Sequence, residues 1–293
     1  MRGERITSYD AFRGLLLVGM VIFHLIVNLS NLEFNQNYFY WVPLGFMLFL
    51  GIILAKFLDG KNKKIITLGI KLLAIFLILN IPNFISKNYT PSQLIIGDQK
   101  IFSFEILLPM SIATFASIGL NKFIKTHKIA LITSIILLSI LTYLYLTNIH
   151  SYNLSFLIYG IIGYLIGKNL DLDNISKNIS KKTFLIVILA SIIPFFTINS
   201  AEIIEILIIL QVLALYFLTA KIFNKNKFLI VLGKHSLFLY IFHIVVIKIA
   251  LFYYKIQSII PLIVIIPLFL LACFTIANFF EKRNILDQNT KTK

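Results

Sequence analysis

The chain is predicted to be an all-α polytopic membrane protein: one bundle of about ten transmembrane helices with both termini in the cytoplasm. Three observations predict it. Hydrophobic residues fill 59% of the 293 positions and the mean hydropathy is +0.91, against roughly 45–50% apolar residues in a soluble domain. The apolar residues gather in runs close to the ~20 residues a helix needs to cross a hydrocarbon core. Lysine and arginine alternate from loop to loop as the positive-inside rule requires.

The runs justify the spans in order. The first, 11–30, is too long for the apolar region of a secretory signal. No small-residue cleavage site follows it, so it is expected to remain as a span. The second, 38–57, opens on Tyr38, Tyr40 and Trp41, aromatic anchors of a membrane interface. The third, 65–82, follows a lysine-rich turn. The fourth, 101–120, follows the longest outer loop, about 83–100, which holds Pro91, Gly97 and Asp98. The fifth, 129–147, and the sixth, 153–168, meet at an outer turn containing His150 and Tyr152. The seventh, 183–199, and the eighth, 201–221, are separated by Asn199-Ser200, a tight helical hairpin. The ninth, 236–254, ends on Tyr253-Tyr254, and the tenth, 258–280, leads into a polar stretch. Pro109, Pro194 and Pro267 fall inside runs, where kinks that open a cavity are expected. The domain reading is a single transmembrane unit over 1–282 and a polar, frayed cytoplasmic tail over 283–293.

Charge fixes the expected orientation. With the N-terminus inside, the inner segments carry Arg2 and Arg5; Lys56, Lys61, Lys63 and Lys64; Lys122, Lys125 and Lys128; Lys168, Lys177, Lys181 and Lys182; Lys221, Lys225, Lys227 and Lys234; and Lys282, Arg283, Lys291 and Lys293. That is 21 of the 27 basic residues. The outer loops hold Lys87, Lys100 and Lys255 only, and Arg13, Lys71 and Lys248 stay inside spans. The net charge of +15 is therefore a topology signal, not a phosphate-tracking surface, and nucleic acid is excluded as a partner. The single cysteine, Cys273, sits deep in an apolar run. It rules out an internal disulfide, no zinc-type Cys/His spacing is present, and no metal site is expected.

Ionisable groups inside spans are costly and mark substrate or proton paths. Arg13 and His24 are eleven residues apart, three helical turns plus about 20°. Both therefore project from one face, about 16 Å apart along the axis. The stripe reads Asp10, Arg13, Leu17, Met20/Val21, His24 and Asn28. Asp10 lies one turn from Arg13 and is placed to pair with it. Arg13 is a permanent cation near the inner surface, and its fork suits phosphate oxygens. His24 lies past the midplane, where desolvation favours a neutral imidazole able to act as base or nucleophile. In the bland alternative, Arg13 snorkels to the surface and His24 bonds a neighbouring helix.

Glu105, about one turn inside the fourth span, shares His24's depth and is a candidate to orient its imidazole. The alternative is a water-solvated interfacial carboxylate. Lys71, six residues inside the third span, either snorkels or contacts a donor phosphate. Near the other end, Leu232-Gly233-Lys234-His235-Ser236 precedes Tyr240 and His243. Gly233 suits the end of a short interfacial helix and Ser236 an N-cap. Ser236, Tyr240 and His243 share a polar face that must point into the bundle, as helix–helix hydrogen bonds or as a ligand site.

These residues resemble the transmembrane acyltransferase superfamily, which includes acyltransferase family 3 and the relatives of heparan-α-glucosaminide N-acetyltransferase. Arg13 and His24 match its Arg-x10-His pattern, and Asp10-Ala11-Phe12-Arg13-Gly14 resembles its Asp-x-x-Arg-Gly opening. Gly45 to Gly51 resembles its Phe/Gly-rich second-span motif. Leu232-Gly233 with Ser236, Tyr240 and His243 resembles its closing Leu-Gly-x-x-Ser-x-x-x-Tyr-x-x-His motif. The stretch from about 60 to 225 is not diagnostic. The opening and the lack of a soluble domain point to the heparan-type branch. In some members of that branch the reactive histidine lies in the first outer loop, and here none lies between His24 and the second span.

The resemblance implies an integral-membrane transferase of the cell membrane that moves an acyl group, often acetyl, from cytoplasmic acyl-coenzyme A. Its acceptor would be a hydroxyl or amine on an extracytoplasmic glycan or lipid-linked molecule. His24 would be the catalytic histidine and Arg13 its donor-side companion, with Glu105 orienting. Asp10, Lys71, Ser236, Tyr240 and His243 would be candidates for binding substrate or coenzyme. The rival classes are a transporter or flippase for an anionic substrate, against which no inverted repeat is visible, and a structural membrane protein without chemistry.

Overall fold

A computed structural model describes residues 6–29, 39, 41–86, 106–124, 126–146, 152–180, 182, 183, 185, 186, 189, 204–253 and 259–291. Among the described residues the chain is all-helical, with no strand. The helices are α1 (Thr7–Leu29), α2 (Trp41–Phe57), α3 (Asn62–Ser86), α4 (Leu107–Phe123), α5 (His127–Leu146), α6 (Tyr152–Asn169), α7 (Leu172–Asn178), α8 (Ile204–Ile222), α9 (Lys227–Lys234), α10 (Ser236–Tyr253) and α11 (Ile259–Lys291). Among the described residues three stretches are long and apolar enough to cross a membrane: Thr7–Asn28, Asn62–Ile81 and Pro261–Arg283. The pair α9 and α10, bent by 83° at His235, makes a fourth if counted as one span.

Exposed faces support a lipid environment. Ile66, Ile70, Leu77 and Ile78 of α3 are exposed, as are Ile132, Ile135 and Ile136 of α5 and Ile263, Val264, Leu268 and Leu271 of α11. Continuous apolar surface on this scale is unfavourable in water and natural against acyl chains.

The chain divides into two compact units. One holds Pro43–Asn174 and Phe196–Leu210; the other holds Arg2–Val42, Ile175–Phe195 and Gln211–Lys293. In the first unit, α2 and α6 meet backbone to backbone. A β-carbon on Gly163 would fall 1.9 Å from the Leu48 carbonyl oxygen, and one on Gly51 would fall 2.0 Å from the Gly160 carbonyl oxygen. Small residues permit this approach, which drives helix association where the hydrophobic effect is silent. Gly163 meets Leu48 and Gly167 meets Ile52, so the two helices run in the same direction. Ser111 donates to the Gly69 carbonyl at 2.9 Å and ties α4 to α3. At one end of this unit Lys56 bonds Asp171 at 2.5 Å, and Lys168 bonds Asn121 at 2.8 Å. Gly60 takes φ 72° in the turn from α2 to α3, a left-handed geometry that glycine adopts without strain.

In the second unit, α1, α10 and α11 share an apolar cluster. Val21 and Leu25 pack with Ile247 and Leu262, flanked by Ile265, Phe269 and Leu270. Toward the other end, Phe228 meets Phe274, Phe238 meets Phe280, and Lys234 forms an ion pair with Glu281. The α11 partners rise in number as those on α10 fall, so α11 runs antiparallel to α10.

Several expectations shift. The polar stretch after Phe280 continues α11 through Lys291, where a frayed tail was expected. No proline or glycine interrupts it after Pro267. Pro109 starts a helix and does not kink one. It is the third residue of α4, where the backbone N–H has no intrahelical acceptor to lose. Pro267 does lie inside α11. Pro194, the outer-loop residues Pro91, Gly97 and Asp98, the anchors Tyr38, Tyr40 and Tyr254, and nearly all of the 183–199 run lie outside the described residues.

Candidate functional site

The site belongs to the second unit and rests on α1. This helix is uninterrupted for 23 residues, so the eleven-residue spacing of Arg13 and His24 survives as geometry. Both side chains meet α10. An Arg13 Nη donates to Ser236 Oγ at 2.6 Å, and His24 Nδ1 lies 2.9 Å from His243 Nε2. Residue 13 pairs with 236 and residue 24 with 243, so α1 and α10 run parallel.

Around Arg13 the helix supplies its own counter-ion. Asp10 Oδ1 lies 3.8 Å from an Arg13 Nη, and Asp10 is 4% exposed while the Arg13 side chain keeps 26%. The carboxylate is thus buried beside a guanidinium that still reaches outward. Asp10 pairs with Arg13 as the spacing predicts. Ser236 departs from its expected capping role. It is the first residue of α10, and its hydroxyl takes the Arg13 hydrogen bond.

Gly233 and Gly14 make this end possible. A β-carbon on Gly233 would lie 1.7 Å from the Asp10 carbonyl oxygen, and one on Gly14 would lie 2.0 Å from the Leu229 carbonyl oxygen. Gly233 therefore serves close approach of α9 to α1. It lies inside α9, whose C-cap is His235. Asn226 caps the N-terminus of α9 by accepting from Leu229 N at 3.1 Å.

At the other end, the His24 and His243 ring centroids are 5.1 Å apart and their planes differ by 18°. His243 is fully buried, and its Nδ1 lies 2.9 Å from the Leu239 carbonyl oxygen. The Tyr240 ring stands edge-on to His243 at 5.6 Å, and Phe23 tilts against His24 at 5.3 Å. Asn28 donates to the His24 carbonyl and so binds its own helix. Leu17, Val21 and Leu239 lie between the two polar ends in sequence and are fully buried.

The structure thus brings together Asp10, Arg13 and Ser236 at one level, and His24, Tyr240 and His243 at another. Lys71 is exposed on α3, in the first unit. Glu105 lies outside the described residues. Three pairings escape sequence reasoning: Arg13 with Ser236, 223 positions apart, and two others. One is His24 with His243, 219 positions apart. The other is Ser8 with the buried Tyr216: their hydroxyls are 3.2 Å apart, and the Tyr216 ring packs against Tyr9 and Phe12. No local signal announces any of the three, since all depend on which helices become neighbours. Lys248 is exposed on α10.

Among the described residues no group of three or more His, Cys, Asp or Glu is placed to hold a metal ion. No family model, curated protein or solved structure matches the chain.

Proposed function

We propose that the protein is a multi-pass integral-membrane acyltransferase of the cell membrane, with about ten spans and both termini cytoplasmic. It moves an acyl group, acetyl in the simplest case, from cytoplasmic acyl-coenzyme A to a hydroxyl or amine of an extracytoplasmic glycan or lipid-linked acceptor. The carrying observation is that one helix presents a paired guanidinium and a histidine-bonded imidazole to the same partner helix, about 16 Å apart. Parallel α1 and α10 with antiparallel α11 match the span directions set by the lysine and arginine distribution. The likeness of the Arg13–His24 and Leu232–His243 patterns to the transmembrane acyltransferase superfamily supports the same reading.

The residues divide the work. Arg13, steadied by Asp10, presents its guanidinium fork to donor phosphates. His24 removes the proton from the acceptor hydroxyl or amine as the acceptor oxygen or nitrogen attacks the thioester carbonyl. The new bond to the acyl carbon forms, the carbon–sulfur bond breaks, and the leaving thiolate takes the proton back from His24. Lys71 and Glu105 are candidates for the donor and for imidazole orientation.

The test is His24→Asn. The asparagine amide nitrogen takes the place of Nδ1 and keeps a donor toward His243, while the base nitrogen is lost. Radiolabelled acetyl transfer from acetyl-coenzyme A to envelope glycans and lipids should disappear, with folding close to wild type. Full turnover by His24→Asn overturns the reading. Acetyl-independent substrate flux into proteoliposomes would instead favour a transporter.

A further inference from the structure

We infer that His243 is a positioning residue that holds His24 in one tautomer, with Nδ1 protonated and Nε2 bare, so that Nε2 is the reacting nitrogen. This rests on the acyltransferase reading for its chemical use but not for its geometry. The argument starts from an atom that cannot donate. The Leu239 carbonyl oxygen only accepts, so His243 Nδ1, 2.9 Å away, must carry a hydrogen. In the neutral ring that leaves His243 Nε2 with a lone pair. His24 Nδ1 lies 2.9 Å from it, and two bare nitrogens do not approach so closely. His24 Nδ1 therefore carries the hydrogen and donates, which leaves His24 Nε2 unprotonated.

The chain of bonds runs from His24 through His243 to a helix carbonyl. It does for His24 what a buried carboxylate does in hydrolytic triads: it fixes the ring and its tautomer. It also has somewhere to put charge. When Nε2 of His24 takes up the acceptor's proton, the Nδ1 proton can slide to His243 Nε2. One positive charge is then carried on His243, whose other N–H stays bonded to Leu239. A nitrogen pair at 2.9 Å holds one hydrogen, so the pair takes up one proton and not two. Burial and ring packing keep the geometry fixed: His243 is 0% exposed, and Tyr240 stands edge-on to its ring.

The experiment reads the tautomer directly, by nitrogen-15 NMR of the imidazoles in the full chain in lipid nanodiscs. The chain has five histidines, and the His24 signals are those missing in His24→Asn. Expected are a protonated, pyrrole-type Nδ1 and a bare, pyridine-type Nε2. His243→Gln keeps an acceptor where Nε2 stood and should preserve that pattern. His243→Phe removes the acceptor and should lose it, with His24 redistributing toward the Nε2-protonated form. In an acetyl-transfer assay His243→Phe should lower kcat by about 10²–10⁴-fold with little change in KM, and His243→Gln should recover most of it. A wild-type His24 with bare Nδ1 and protonated Nε2 overturns the inference, whatever the activity. The expected tautomer in a protein that transfers no acetyl group upholds it and overturns the function proposed above.

Discussion

Gly233→Ala should pull α9 off α1 and break the Arg13 end of the site. The added β-carbon would meet three backbone atoms of α1: the Asp10 carbonyl oxygen at 1.7 Å, its carbon at 2.6 Å and Gly14 N at 2.9 Å. No side-chain rotation relieves a clash with backbone. Raising the shortest contact from 1.7 Å to the 3.0 Å that real β-carbons respect moves α9 by about 1.3 Å. One residue, His235, separates α9 from Ser236, so the shift passes to the Arg13–Ser236 bond. That bond, now 2.6 Å, would stretch to about 3.9 Å, beyond hydrogen-bonding range. Overpacking of this kind costs about 1–3 kcal/mol, and a hydrogen bond to a charged group contributes about 1.5–3 kcal/mol more. The sole cysteine, Cys273, is buried in α11 of the same unit. A thiol-reactive fluorophore therefore reports opening of that unit on heating. Gly233→Ala should label at a clearly lower temperature than wild type. Gly119→Ala is the control, because a β-carbon there meets nothing within 4 Å. Coincident labelling curves for wild type, Gly119→Ala and Gly233→Ala would refute the close-packing account.

Gly163→Ala should loosen the first unit by a similar clash, with its β-carbon 1.9 Å from the Leu48 carbonyl oxygen; cross-linking of cysteines placed on α2 and α6 should fall, and undiminished cross-linking would argue against it. Arg13→Ala leaves the buried Asp10 without its cation and should destabilise the second unit by about 1–3 kcal/mol. Arg13→Lys keeps the charge but not the fork, so it should fall between Arg13→Ala and wild type in the Cys273 labelling assay. Asp171 gives the pH dependence. The Lys56 hydrogen bond holds its carboxyl below the ordinary value of 3.8. Its contribution is fully present above 3.8 and is lost as pH falls through the lower folded value. The Asp171 side chain is 57% exposed, so salt and water screen the pair to below ~1 kcal/mol. Melting of wild type and Asp171→Asn should differ slightly at neutral pH and converge in acid, and a gap that widens in acid would contradict the sign.

The helices themselves were legible because their cause is local. Apolar runs of spanning length, lysine-rich turns and glycine punctuation act within about 20 residues, and α1, α2, α6 and α10 fall within a few residues of the expected runs. The Arg13–His24 stripe was legible for the same reason, since a continuous helix turns sequence spacing directly into a shared face. Asp10 with Arg13 is another i, i+3 consequence. Of the two short helices α7 was harder, while α9 was expected as a short helix ending at Gly233. Each is fewer than ten residues long, and what the pattern of α9 did not announce is its backbone contact with α1.

What the sequence determined alone is the all-helical, membrane-suited character of the chain and the face on which Arg13 and His24 stand, because both follow from periodicity along one strand of covalent bonds. What only the tertiary structure decided is which groups those side chains meet. Ser236 and His243 are more than 200 residues away, and no rule of local spacing selects them from the other polar residues. Their selection follows from backbone contact at Gly14 and Gly233 and from the one-residue bend at His235. Together these carry α10 alongside α1 in parallel and in register, so that a hydroxyl reaches the guanidinium and one imidazole reaches the other.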